Sequence, residues 1–230
     1  MENGTQAKTN SAKLSQINFE QGSSGSVIMG FELSYGIFLN TSGITIKRNK
    51  TPFIVSADNL AIENIIISQN LISANCSYGF VSINIPLGQN IIISNNLLYC
   101  VSIGISVGNV VLSNNIFVGY GSVCNAAVQN NIFVYNGSIS NCGNSMSNNI
   151  FGYAFNDLFI DGSSPDGKWQ LKPGSPAIGA GVGGVDCGMY GGDNPYVLSG
   201  IPSIPTIYFF NAPIEWGNQL PVQIKIKSNK

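Results

Sequence analysis

The sequence predicts an all-β fold: a solenoid of short parallel strands stacked coil on coil. One octet pattern recurs six times along the 230 residues, at intervals of 16 to 26 residues. Within each octet apolar and polar residues alternate, which is typical of strands. A globular fold of helices and strands has no reason to return to one octet, whereas a solenoid whose coils differ in loop length does.

The repeat is clearest around a shared asparagine, which we call the reference asparagine of each coil. The octets read ITIKRNKT (44–51), IIISQNLI (65–72), IIISNNLL (91–98), VVLSNNIF (110–117), AAVQNNIF (126–133) and NSMSNNIF (144–151). Their reference asparagines are Asn49, Asn70, Asn96, Asn115, Asn131 and Asn149.

Apolar columns appear when the octets are aligned on this asparagine. Three residues before it stand Ile46, Ile67, Ile93, Leu112, Val128 and Met146, and two after it stand Thr51, Ile72, Leu98, Phe117, Phe133 and Phe151. Each column predicts a ladder of like side chains stacked ~4.8 Å apart in the core. Val128 and Ile93 should therefore be buried, and Phe117, Phe133 and Phe151 should stack in one column.

The reference asparagine is predicted to lie at a corner between two strands. Asparagine tolerates the left-handed backbone region better than other residues that carry a side chain. Stacked asparagine amides also hydrogen-bond from one layer to the next in stacked sheets. We therefore expect an asparagine ladder that runs along the solenoid.

These motifs resemble a known family. The stretch SVIMGFELSYGIFLNTSGITIKRN (26–49) and the octets are similar to right-handed parallel β-helix repeat proteins of the pectate-lyase-like superfamily. The stretch NDLFIDGSSPDGKWQLKPGSPAIGAGVGGVDCGMYGG (156–192) resembles the L-x-P-G-S-P-A-I-x-A-G closing segment of secreted bacterial β-helix proteins. The resemblance implies a right-handed parallel β-helix and a secreted or cell-surface location, but no single activity.

The chain divides into four predicted parts. Residues 1–25 are a polar lead-in or incomplete first coil, 26–155 the β-helix coils, 156–200 a loop-rich closure that ends the stack, and 201–230 a C-terminal hairpin or tail. In the tail, TIYFF (206–210) and VQIKIK (222–227) are strand-like. Since Val222 and Ile224 alternate with polar residues, the second run is predicted to be half-buried.

Composition excludes several function classes. The chain has no histidine, which removes imidazole bases, Ser-His-Asp and Cys-His nucleophiles and His-containing metal sites. A net charge of −1 provides no field for nucleic acid. No apolar run is long enough for a membrane span. Met1 to Gln21 lacks the apolar stretch of a signal peptide, which indicates a cytosolic protein or a mature or trimmed chain.

The cysteines and acidic residues suggest structural roles. Five cysteines without a C-x-x-C pair are predicted to be mostly free, buried thiols. Asp157, Asp161 and Asp186 are weak candidates for a calcium site, but their spacing does not form a calcium loop, so capped turns are the favoured interpretation. No metal site and no cofactor are therefore predicted.

One outward surface is the candidate binding site. An apolar row (Ile66, Ile92, Val111) lies beside a hydroxyl row (Ser68, Ser94, Ser113) on outward positions of successive strands. An exposed apolar stripe marks a partner or a covering segment. Three alternatives follow: cover by the tail or by loops; contact with a glycan, a surface or a subunit; and ice binding, for which regular threonine ranks are missing.

The favoured function is a non-catalytic extracellular module that binds polysaccharide or another surface protein for adhesion, or that is a structural part of a surface protein. The alternative is a carbohydrate-active β-helix enzyme, a lyase or hydrolase. Such enzymes need carboxylates or a bound cation on their coils. No charged residue occurs between Asn64 and Asn156, so Asp58, Glu63 or the closure acids would have to act.

Overall fold

The computed structural model describes residues 13–73, 81–106, 108–118, 126–135, 143–161, 166–196, 206–211 and 222–227, with only the backbone at 81, 206–211, 226 and 227. Its strands are β1 (Lys13–Phe19), β2 (Val27–Met29), β3 (Glu32–Leu39), β4 (Thr45–Lys47), β5 (Lys50–Thr51), β6 (Ile54–Ser56), β7 (Glu63–Ser68), β8 (Leu71–Ser73), β9 (Val81–Asn84), β10 (Gln89–Ser94), β11 (Leu97–Tyr99), β12 (Ser102–Gly104), β13 (Val110–Ser113), β14 (Ile116–Val118), β15 (Ala126–Gln129), β16 (Ile132–Val134), β17 (Ser145–Ser147), β18 (Ile150–Tyr153), β19 (Thr206–Asn211) and β20 (Gln223–Lys227).

Helical structure is scarce in the described part of the chain. It comprises α1 (Phe155–Leu158) and two 3-10 turns at Gly167–Trp169 and Val182–Gly184. None of the described helices has the length and hydropathy of a membrane span.

Two parallel sheets form the body of the molecule. Sheet I has seven strands in the order β2, β4, β7, β10, β13, β15, β17. Sheet II has eleven strands and divides at β3, which pairs with β5 at its start and with β6 near its end. One branch runs β5, β8, β11, β14, β16, β18, the other runs β6, β9, β12, and β1 is the eleventh strand, paired in parallel with β3. The chain is a parallel β-solenoid, which confirms the predicted fold class.

The apolar columns stack in the predicted register. In sheet I, Ile46, Ile67, Ile93, Leu112, Val128 and Met146 pair in succession. In sheet II the Phe133 ring lies between Phe117 and Phe151, at 4.8 and 4.7 Å between centroids and within 11° of parallel. Phe117 and Phe133 are buried, so the core consists of these columns.

The reference asparagines form the expected ladder. The backbone N–H of Asn96 donates to Oδ1 of Asn115 at 2.9 Å, and the N–H of Asn115 donates to Oδ1 of Asn131 at 3.0 Å. Each side-chain amide also donates inside the stack; that of Asn115 reaches the Ile93 carbonyl at 2.9 Å. From Asn49 to Asn131 these side chains are fully buried. The ladder therefore satisfies backbone groups that the corner would otherwise leave unpaired.

The left-handed residue of the corner was predicted one position too late. The positive φ values occur immediately before the reference asparagine, for example 54° at Asn95 and 56° at Asn114. The reference asparagine must direct its amide into the stack, and the preceding residue makes the turn. Arg48, Gln69, Asn130 and Asn148 occupy the same position with φ of 51–56°.

One coil of the solenoid, which contains β2, does not carry the octet motif. Strand β2 pairs with β4 through Val27 and Thr45, Ile28 and Ile46, and Met29 and Lys47. Its reference position holds Phe31, whose N–H donates to Oδ1 of Asn49 at 3.1 Å. Because Phe31 has no amide, the asparagine signature is absent from this coil.

The closing segment, Phe155–Tyr196 in its described parts, packs along the side of the solenoid. It packs on outward residues of the longer branch of sheet II, including Leu71, Leu97, Ile116 and Ile132. Phe159, Trp169, Ala177 and Met189 cover this row and form a second core with it. This outward apolar row of sheet II was not identified in the sequence analysis. It determines where the closing segment packs.

Corner residues fix the closing segment along its length. The Asn130 amide donates to the Ala180 carbonyl at 2.8 Å, and the Val182 N–H donates to Oδ1 of Asn114 at 2.9 Å. Farther along, the Asn95 amide donates to the Asp186 carbonyl, and Arg48 donates to Asn194. The segment thus runs from the last coil back toward the first.

The predicted hairpin is present. Strands β19 and β20 pair antiparallel, with Thr206 opposite Lys227 and Asn211 opposite Gln223. Val222 and Ile224 are exposed, so the prediction of a half-buried strand is wrong for these two residues.

The cysteine prediction holds only in part. Cys187 is free and buried, and its Sγ donates to the Asn130 carbonyl at 3.2 Å. Burial, together with the nearby charge of Asp186, raises the pKa of its thiol to about 12. Cys100 is disulfide-bonded, contrary to the prediction. Cys76, Cys124 and Cys142 lie outside the described residues.

Candidate binding face

The outward side chains of sheet I form the candidate site, which we call the outer face. The parallel register places Ile66 opposite Ile92 and Ile92 opposite Val111, as the sequence predicted. Neighbouring strands lie ~4.8 Å apart. The three apolar residues therefore form one continuous row across adjacent coils.

The apolar row is open. Ile66 and Ile92 are 38% and 41% exposed, and Val111 is partly exposed. These exposed fractions favour the alternative in which the row contacts a ligand or partner, while most of the tail, which was the proposed cover, lies outside the described residues. Apolar side chains that stay in contact with water across successive strands are typical of a surface that meets a ligand or partner.

The hydroxyl row is less accessible than the sequence suggested. Ser68 and Ser113 are each 8% exposed, and Ser94 is partly exposed. Each serine lies one residue before a left-handed corner, and the closing segment crosses those corners. Ile66, Ile92 and Val111 therefore remain accessible on the outer face, whereas the side chains of Ser68 and Ser113 are almost completely buried.

A second polar row, which the sequence analysis missed, flanks the apolar residues on the other side. The exposed amides of Asn64, Asn90 and Asn109 point outward, with Asn90 donating to Asn64 and Asn109 donating to Asn90, both at 3.4 Å. Asn64 and Asn90 have φ of 59° and 51°. The available signal was an asparagine six residues before the reference asparagine in three successive coils.

The outer face continues onto the coil that the alignment missed. Val27 and Met29 occupy the columns of Thr45 and Lys47, and both are exposed. The open apolar surface therefore has a second part at the early end of sheet I.

The outer face carries little charge. Lys47 and Glu63 lie at its early coils, and the strands from Ile65 to Ser147 contain no charged residue. A ligand for this surface should therefore be uncharged where it contacts Ile92 and Val111. Exposed amides can donate to and accept from hydroxyl groups, while the isoleucines offer contact area to apolar C–H faces.

The acidic candidates of the closing segment mostly cap turns. Asp157 accepts from the Ala154 N–H at 2.8 Å, and Asp186 accepts from the Gly179 N–H at 2.9 Å. Asp161 is exposed. The described residues include no group of three or more His, Cys, Asp or Glu side chains able to hold a metal ion.

Asp166 is a buried acid with a structural environment. Its carboxylate accepts from the Gly167 N–H at 3.0 Å, and its carbonyl accepts from the Tyr190 hydroxyl at 3.0 Å. Burial, reinforced by the charge of Asp166, raises the pKa of both Tyr190 and Tyr196. The hydroxyls stay protonated and hold the end of the closing segment in place.

Comparisons with known proteins add no assignment. No known protein family, curated protein or solved structure matches the chain.

Proposed function

We propose that the chain is a non-catalytic extracellular module that binds a neutral polysaccharide through the outer face, in adhesion or as part of a surface structure. The observation that carries the proposal is the open row of Ile66, Ile92 and Val111 beside the exposed amides of Asn64, Asn90 and Asn109. A sugar chain presents both apolar C–H faces and hydroxyl groups, which match these two rows.

We also propose a family relationship for the chain. The closing motif Leu171 to Gly181 and the stacked octets support a relation to right-handed β-helix proteins of the pectate-lyase-like superfamily, including secretion to the cell exterior. Connections between parallel strands of one sheet are right-handed in about 98% of cases, which supports a right-handed coil here.

The test is co-sedimentation with a panel of insoluble neutral polysaccharides, complemented by titration with soluble ones. Ile92→Lys should abolish binding, because it places a hydrated charge in the middle of the apolar row. Its cost to folding should stay below about 1 kcal/mol, since the side chain is already partly in water. Ile178→Lys is the matched control, because Ile178 is comparably exposed but lies on the closing segment.

The proposal fails if no polysaccharide is retained, or if Ile92→Lys binds as well as the Ile178→Lys control. Release of reducing sugars or unsaturated uronates, with or without Ca²⁺, would favour the alternative of a carbohydrate-active enzyme.

A further inference from the structure

The closing segment forms a border along one side of the outer face. The corner residues Asn114 and Asn95 hold this segment through their side chains, and they directly follow the outer-face serines Ser113 and Ser94 in the sequence. Ser113 is only 8% exposed, although its position on the strand is outward. The outer face therefore has two different edges, with exposed asparagine amides on one side and the closing segment on the other.

One large side chain of this border is not used for packing. Val182 is 48% exposed, whereas Met189 of the same segment is buried in the second core. The turn Val182–Gly184 continues with Gly183 and Gly184, which both have positive φ and would meet no atom within 4 Å if they carried a Cβ. Val182 is thus the one side chain that this turn presents, and no neighbouring side chain of the turn covers it.

The backbone of Val182 is fixed to the corner of the same coil that carries Val111. The Val182 N–H donates to Oδ1 of Asn114 at 2.9 Å. Close by, the Gly188 N–H donates to the Asn114 carbonyl at 2.8 Å. Two hydrogen bonds thus hold the closing segment at this corner, so the fold determines where Val182 lies relative to the outer face.

Val111 and Val182 lie on either side of a shielded serine. Ser113 is two residues after Val111 on the same side of β13, which places it about 7 Å away at the usual rise of a strand. Asn114, whose side chain holds the Val182 turn, is the next residue. A ligand that covers Val111 and extends over Ser113 therefore reaches Val182.

We propose that Val182 is a further ligand-contacting residue of the outer face and that Asn114 positions it. This inference rests on the proposed binding of a neutral polysaccharide. Val182 contacts apolar C–H groups of the sugar chain at the coil of Val111, on the side opposite to the exposed asparagine amides. The closing segment is then part of the binding site as well as the cover of sheet II.

Co-sedimentation with amorphous cellulose, insoluble β-mannan and curdlan tests the proposal on those that retain the wild-type chain. Val182→Ala should weaken binding about fourfold, because it removes two methyl groups of which about half the surface is open to a ligand. Val182→Asp should weaken binding more than about tenfold, because a hydrated carboxylate replaces the apolar contact. Both variants should keep the thermal unfolding midpoint of the wild type, since the side chain is not packed.

Ile178→Ala and Ile178→Asp are the matched controls for these two variants. Ile178 is 48% exposed on the same segment, but its N–H donates to the Ser175 carbonyl and not to a corner residue. Both control variants should bind as the wild type does.

Asn114→Gly separates positioning from contact. Glycine readily adopts the φ of 56° at this corner, so the variant removes the acceptor of the Val182 N–H and keeps the backbone turn. Binding should weaken about as much as in Val182→Ala, and the double variant should lose no more than either single variant, because Asn114 acts through Val182. Asn148→Gly is the control, since Asn148 has the same corner position with φ of 52° and no described contact with the closing segment.

Equal binding by Val182→Asp and Ile178→Asp would overturn this inference, and so would additive losses in the double variant. Ile92→Lys distinguishes this failure from that of the proposed function. If Ile92→Lys loses binding while the Val182 variants bind as the wild type does, the outer face binds polysaccharide without the closing segment. If none of the polysaccharides retains the wild-type chain, the proposed function fails and this inference fails with it.

Discussion

Removal of one rung of the asparagine ladder should destabilise the solenoid far more than an ordinary surface substitution. In Asn115→Ala the lost side chain takes four hydrogen bonds with it. Oδ1 accepts from the N–H and the amide of Asn96 at 2.9 and 3.0 Å, and the amide donates to the Ile93 carbonyl and to Oδ1 of Asn131 at 2.9 and 3.0 Å.

The expected cost follows from these contacts. Each hydrogen bond contributes about 0.5–1.5 kcal/mol net, so the four together contribute about 2–6 kcal/mol. The N–H of Asn96 would in addition stay buried without an acceptor, which costs about 1–3 kcal/mol. Because some bonds can be replaced by relaxation, we expect Asn115→Ala to lower the free energy of unfolding by about 3–5 kcal/mol, a large share of the stability of an ordinary domain.

Urea unfolding followed by far-UV circular dichroism, together with the fluorescence of the buried Trp169, measures this cost. Asn109→Ala is the matched control, since Asn109 is exposed and makes one 3.4 Å contact with Asn90; it should change stability by less than about 0.5 kcal/mol. If Asn115→Ala cost no more than this control, the ladder would be a consequence of composition and the argument for its role would be refuted.

Two further predictions concern the core and the buried thiol. Phe133→Ala should cost about 3–5 kcal/mol, because it opens a cavity between two stacked rings, and Phe151→Ala should cost clearly less, because Phe151 is half exposed; equal urea midpoints would contradict this order. The pKa of Cys187 is raised from 9.0 to about 12, so the folded state holds a proton that the unfolded state loses, and stability should fall as the pH rises from 9 toward 12. Cys187→Ala should remove about 1.4 kcal/mol per pH unit of that slope in alkaline unfolding titrations, and an unchanged slope would show that the thiol is not linked to folding.

The core could be predicted in detail because the repeated octet defines how the strands of successive coils align. Once the octets are aligned on one residue type, every inward column follows from the two-residue period of a strand. Ile93, Val128 and the three phenylalanines accordingly lie where the alignment places them. The first coil was missed for the same reason, since Phe31 replaces the asparagine on which the alignment depends.

The site could be predicted only in part, because burial on the outer face depends on contacts that are distant in the sequence. The apolar row is open as an outward row should be, whereas Ser68 and Ser113 are shielded where residues 180–194 cross the corners. The outer-face positions of the octets do not indicate that crossing. The outward residues Leu71, Leu97 and Ile116 do encode it, as an apolar row that requires a cover, but the alignment considered only sheet I for outward positions.

The two ends of the asparagine ladder differ in the residue that terminates them. At the first coil Phe31 donates its N–H to Asn49 and offers no side-chain amide of its own, so the ladder ends there in an apolar residue. At the last coil Asn149 has the same geometry as every rung before it, with an N–H that has no described acceptor and a phenylalanine two residues later that is covered on one face. A stack of like coils carries the same interface from coil to coil, so an end that keeps the full rung also keeps the capacity to bind one more strand.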